Sequence, residues 1–239
     1  GAAVIIIIII MYSLNIKVLQ ASHAVINAFS SGDDITSTTA TFQQAIDYQI
    51  IPSRNIVTSY VSYLTQTAGN LPAITNDPQK KMALTTGIKN VLLALDREIK
   101  KDSANAFLYD RQAIINNIAY LLTNEPVYLQ NSFEATRQAI ALSPEHLHYY
   151  YTLVDTYIIA GRMPEAVQAA LDALKINHEY ATGYFYLAKA YTAAGEFDQA
   201  LRVVKQLDQR GYFATNNVLF SYLANKFEEN KEELKAVEV

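Results

Sequence analysis

Four histidines, His23, His146, His148 and His178, are the side chains of this sequence best suited to metal ligation or to proton transfer near neutral pH. His146 and His148 stand two positions apart, which on a helix turns them about 200° from each other, so they do not converge on one ion. No HExxH pair, Gly-x-Ser-x-Gly elbow, glycine-rich phosphate loop or dinucleotide fingerprint occurs. The acidic run Glu228, Glu229, Glu232 and Glu233 interleaves with Lys226, Lys231 and Lys235. That pattern is a solvated helix face with i, i+4 partners rather than a pair of catalytic carboxylates. Without cysteine there is neither a thiolate metal site nor a disulfide framework. The residues specify no catalytic set, no metal site and no cofactor, so the chain reads as a non-enzyme.

The composition narrows what remains. Nineteen basic against twenty-three acidic side chains give a net charge of -4, without the basic stripe that neutralising phosphates requires, which argues against nucleic acid. A hydrophobic content of 51% over 239 residues is enough for a sizeable core. Seventeen tyrosines, no tryptophan and only eight glycines favour aromatic helix packing over a loop-rich β architecture, and all-α is the expected class.

The elements that follow from periodicity begin with a hydrophobic N-terminal segment. The chain opens on Gly1 rather than methionine, which reads as a processed product or a piece of a longer protein. Residues Ala2 to Met11 are all apolar, and the first charge is Lys17. Such a segment of about 16 residues spans roughly 24 Å as a helix, short of the ~20 residues a bilayer core asks for. Leu14, Val18, Ala21 and Val25 recur at helical spacing, as do Tyr12, Ile16, Leu19 and Ile26, which predicts one long helix from Val4 to Phe29 buried on most sides. Burial of six isoleucines is worth roughly 9–18 kcal/mol before ordering costs, so this segment demands a covering surface. The expected assembly segment is Val4, Ile5, Ile6, Ile7, Ile8, Ile9, Ile10, Met11, Leu14 and Val18.

Ser30 to Thr41 reads as a polar linker whose Ser and Thr residues cap and join helices. Thr39–Tyr48 and Asn55–Gln66 follow as helices, then a loop marked by Gly69, Pro72 and Pro78. A helix from Pro78 to Lys101 is expected to bury Met82, Ile88, Leu92, Leu95 and Ile99, and further helices span Ala104–Leu122 and Val127–Leu142. Beyond Pro144 the chain repeats. A shift of 34 places Tyr150 on Tyr184, Leu153 on Leu187, Tyr157 on Tyr191, Gly161 on Gly195 and Ala166 on Ala200. In each copy a leucine and a tyrosine four apart share one helix face, a glycine breaks the helix, and an alanine lets the returning helix approach closely.

This pattern of aromatic, leucine, small residue, tyrosine, glycine, bulky apolar residue and alanine resembles the tetratricopeptide repeat (TPR). The units fall at 147–180 and 181–214, and the second matches better. The first has Val154 at a position where a small residue is usual and His178 where the closing proline stands. Residues 113–146 read as a degenerate unit that keeps Ala139 and Pro144. The expected fold is all-α, a TPR-type helical hairpin stack preceded by a long hydrophobic N-terminal helix. Its divisions are 1–29 for that helix, 30–103 for linker and degenerate hairpins, 104–146 for a TPR-like unit, 147–214 for two repeats, and 215–239 for a capping helix and charged tail.

The resemblance implies a peptide groove on the first helix of each unit. The matching positions are His148, Tyr151 and Asp155, then Thr182, Phe185 and Lys189, an aromatic face with mixed charge. It lacks the lysine and asparagine set that clamps a peptide's terminal carboxylate in some family members. The order of hydrophobic segment, SLNIKVLQAS, helical linker and repeats also looks like the region after the last membrane helix of bacterial O-antigen ligase-like proteins. Two functions compete on these grounds. One is an envelope or surface assembly protein, self-associating through its N-terminal segment into a filament with TPR domains outside. The alternative is a membrane-anchored recruitment module of a glycan-handling protein. The expected partners are a second copy, a peptide or protein in the groove, and a membrane in the alternative; the cell envelope or surface is the expected location, with the cytoplasm left open.

Overall fold

The computed structural model describes residues 11–12, 16, 18–27, 34–47, 53–209 and 225. The isoleucine run, Leu14, and the capping helix and charged tail expected at 215–239 lie outside the described residues, apart from position 225. No strand occurs among the described residues. In order they form α1 (Ile35–Asp47), α2 (Ser53–Ala68), α3 (Leu71–Thr75), α4 (Pro78–Lys101), α5 (Ala106–Thr123), α6 (Pro126–Leu142), α7 (Leu147–Ile159), α8 (Met163–Ile176), α9 (Ala181–Ala193) and α10 (Phe197–Gln209). The chain divides into two compact units, 1–132 and 133–239, and the division falls inside α6, within the stretch read from sequence as one TPR-like unit.

The N-terminal unit gathers around α4, which packs against α1, α2, α3 and α5. Asp77 caps α4 by accepting from the Gln79 and Lys80 amides, and Pro78 fits the first turn because its missing N–H would be unpaired there anyway. At the centre Phe42 stacks on Tyr60, with ring centroids 4.6 Å apart and planes within 13°. Gly87 of α4 makes this contact possible, since a Cβ there would stand 2.5 Å from the Tyr60 hydroxyl oxygen.

Three expectations change here. The second half of the polar linker forms the first two turns of α1. Asp34 accepts from the Thr36 and Ser37 amides at 3.1 and 3.2 Å, and Ile35, Thr38, Thr39 and Phe42 are buried on the helix it starts. Threonine in this stretch is buried helix surface, although its polarity suggests a loop. The loop after Gly69 holds the short helix α3, with Pro72 in its first turn. Finally, Met82 is 73% exposed, and the buried face of α4 runs instead through Leu84, Ile88, Val91 and Leu95. Six residues separate Met82 from Ile88, about 600° of rotation, which leaves Met82 roughly a third of a turn off that face.

Residues 18–27 are helical, with Ala21 and Ala24 in the core beside Ile35 and Phe42. Burial on most sides is not what the described residues of this segment show: Leu19 is 59% and Ile26 60% exposed, and Met11, Tyr12 and Val18 are also exposed. Neither predicted stripe is buried throughout: Ala21 and Ala24 are covered by the chain, and Met11, Tyr12, Val18, Leu19 and Ile26 are exposed.

In the C-terminal unit α7 packs on α8, α8 on α9 and α9 on α10. The 34-residue period appears as a duplicated backbone motif. Gly161 and Gly195 both take the left-handed conformation, at φ 71° and 74°. Beside them the Arg162 amide donates to the Tyr157 carbonyl and the Glu196 amide to the Tyr191 carbonyl, each at 2.9 Å. These bonds reaching back five residues are the Schellman closure that glycine permits at a helix end. The returning helices then meet the first through Ala166, Ala170 and Ala200, all fully buried.

Replacing Ala200 with leucine should lower stability by about 1–3 kcal/mol, because overpacking at this crossing forces neighbours off their rotamers. The same change at exposed Gln199 should move stability by less than about 0.5 kcal/mol. Equal melting temperatures for the two variants would show that the α9–α10 crossing is not tight.

Candidate functional site

The six groove positions occupy equivalent places on α7 and α9, each pair separated by the repeat period: His148 with Thr182, Tyr151 with Phe185, Asp155 with Lys189. Helix periodicity puts each trio on one face, and α7 and α9 are in contact. Thr182 is exposed, His148 and Phe185 are half-buried, and Tyr151 is buried.

The last pair meets directly. The Lys189 ammonium donates to Asp155 Oδ1 at 2.7 Å, with 22% and 32% of the two side chains exposed. Burial pushes the Asp155 carboxyl above the usual carboxylate value, against the pull of Lys189 and, more weakly, of His148. The folded state therefore holds this proton to higher pH than the unfolded chain, and this group's contribution to stability falls as pH rises through the carboxylate range. Lys189 also lies 5.4 Å from the centre of the Tyr186 ring.

Tyr151 is the centre of an aromatic cluster. Its ring stacks on Tyr186 at 4.5 Å with planes 2° apart, and Phe185 meets Tyr186 edge-on at 5.0 Å. Burial pushes the Tyr151 phenol up to about 12, and its hydroxyl finds no hydrogen-bond partner among the described residues. Gly183 keeps α9 close to α8 here: a Cβ would fall 2.7 Å from Leu174 Cδ2 and 3.5 Å from the Tyr151 hydroxyl. Tyr186 is not among the residues that the sequence assigns to the groove, because it stands one position beyond the i, i+3, i+7 set. Its aromatic neighbour Phe185 is the signal that could have found it.

The histidines take separate places. The His146 ring stacks on Tyr149 at 4.3 Å, and His178 pairs with Glu179 on the surface. No group of three or more His, Asp or Glu side chains able to hold a metal ion occurs among the described residues. No helix among them is long and apolar enough to cross a membrane.

Removing Lys189 (Lys189→Met) should cost about 1–2 kcal/mol at pH 7, where the half-buried Asp155 carboxyl loses its cation. The cost should shrink toward zero near pH 3, where Asp155 holds its proton; equal costs at both pH values in denaturant unfolding would show the pair is uncoupled. Tyr151→Phe should leave stability unchanged or raise it by up to about 1 kcal/mol, since it deletes a buried hydroxyl with no partner. A loss above about 1 kcal/mol would show that the hydroxyl is bonded in solution.

No protein-family model matches the chain, and no curated protein matches it. Solved structures do. TTC0263, a thermophilic TPR protein of Thermus thermophilus, aligns over 87% of this chain and 98% of its own at 14% identity, with a TM-score of 0.56. A tetratricopeptide repeat protein from Parabacteroides merdae aligns over 92% of this chain and 77% of its own, also at 14% identity, with a TM-score of 0.51. At this identity the likeness speaks for the fold, and it agrees with the duplicated glycine closures and alanine crossings. The chain has a TPR-type helical repeat fold.

Proposed function

We propose that this chain is a non-enzymatic assembly scaffold that associates with copies of itself through its N-terminal apolar segment and presents its TPR-type repeats to protein partners. The TPR-type fold suggests protein–protein interaction in general terms. The observation that carries self-association is the exposed set Met11, Tyr12, Val18, Leu19 and Ile26, continuous in sequence with the run Ile5 to Ile10. Large apolar side chains grouped in this way mark a contact surface.

The groove on α7 and α9 is the proposed site for a second partner. Its close pair of opposite charges is Asp155 with Lys189, so the face offers a visitor aromatic surface and little net charge. That suits an extended peptide with apolar or aromatic side chains better than a strongly charged tail. A filament built from such chains, at a cell surface or envelope, is the assembly this reading favours, because a head-to-tail contact that does not close propagates.

Electron microscopy of the purified full chain, free of detergent and lipid, tests the reading. Regular fibres are expected. Monodisperse monomers under those conditions would overturn it, and association confined to added vesicles would favour membrane anchoring instead.

A further inference from the structure

The N-terminal unit carries a groove that its own described helices leave open. It lies between α1 and α4, encloses about 720 Å³, and no charged side chain is among its described lining residues. Thr36, Ala40 and Gln43 line it from α1, spaced i, i+4, i+7; Ala83, Thr86 and Asn90 line it from α4, spaced i, i+3, i+7. Each trio is one face of its helix, so two helix faces form the walls of a single trough. Met82, which the core of α4 does not use, belongs here, exposed along the wall of the groove. Apart from it the walls are mostly small or short side chains, which let a third helix approach closely.

We propose that this groove receives the N-terminal apolar segment of a second copy of the chain. This rests on the self-association reading above and names the surface that covers the segment. Three observations favour that occupant. The segment Ala2 to Met11 has ten apolar residues and no charge, matching described lining residues that carry none. As a helix ten residues span about 15 Å, and the α4 wall from Gln79 to Asn90 spans about 17 Å. The side chains that follow the segment in sequence, Met11, Tyr12, Val18 and Leu19, are exposed, and the same neighbouring copy would cover them together with it. A segment donated to a neighbour leaves the donor's own groove free for the next copy, and this propagates into a filament when the rotation between copies does not close a ring.

The test uses two full-length variants. Ala40→Glu/Thr86→Glu places charge in the groove at two exposed positions, where folding is not at stake and circular dichroism checks it. Ile6→Asp/Ile9→Asp places charge in the segment. The wild-type chain should form fibres without detergent, and each variant alone should remain monomeric in light scattering. Mixed one to one, the groove variant's intact segment should enter the segment variant's intact groove, doubling the mass to a heterodimer that grows no further. Fibres from the groove variant would show that the segment docks elsewhere, overturning this proposal while self-association stands. A groove variant more aggregated than wild type would place each chain's segment in its own groove, and a mixture that stays monomeric would also overturn donation. Monomeric wild type would defeat the self-association reading and this proposal with it.

Discussion

The close approach of helices at alanine and glycine is the constraint on which the rest of this protein depends. In the C-terminal unit the first helix of each repeat ends on a left-handed glycine, Gly161 or Gly195, because that conformation allows the amide beyond it to bond five residues back. The chain then returns as α8 or α10, and Ala166, Ala170 and Ala200 carry no side chain long enough to hold the helices apart. The meeting of α7 and α9 follows, since α8 packs on both of them. Gly183 extends the same logic to the α8–α9 approach.

The N-terminal unit reaches close packing by a different route. Its sequence shows no 34-residue repeat, and the contact that organises it is the Phe42–Tyr60 stack, seated against Gly87 of α4. Two of its helix starts are set by aspartate caps, Asp34 and Asp77, each satisfying two amides that a helix start leaves without partners. The Ser37 side chain and backbone hydrogen bonds hold the Asp34 carboxyl below its ordinary value, as expected for a carboxylate that accepts several donors. Among its described residues two surfaces stay uncovered: the α1–α4 trough, whose described walls carry no charge, and the exposed side chains of Met11, Tyr12, Val18, Leu19 and Ile26.

Duplication has a consequence for the candidate groove. Equivalent positions in two repeats face one another across neighbouring helices, so divergence at one pair converts a repeated residue into a complementary contact. Asp155 and Lys189 form an ion pair in this way, and Tyr151 and Phe185 share the ring of Tyr186. The pair neutralises itself, so this face carries less net charge than its sequence displays.

Much of the C-terminal unit was legible in the sequence because its determinants are local. A glycine at the end of a helix, an alanine at a crossing and a leucine four residues from a tyrosine each act through backbone conformation or helix periodicity, and both repeats spell them at a period of 34. The six groove positions could be placed on their helices for the same reason. What the groove residues do to one another could not be read. Whether Lys189 reaches Asp155 or a ligand, and whether Tyr186 joins the cluster, depends on the distance and rotation between α7 and α9, which no single helix contains. The N-terminal unit was harder for a related reason. Threonines at 38 and 39 and the methionine at 82 have hydropathies that mislead when burial is set by neighbours distant in sequence: α1 buries its threonines as it packs on α4 and α2, and α4 turns Met82 outward to leave Leu84, Ile88 and Val91 inside. Local chemistry decided which segments are helices; only their packing decided which faces are core and which are left exposed.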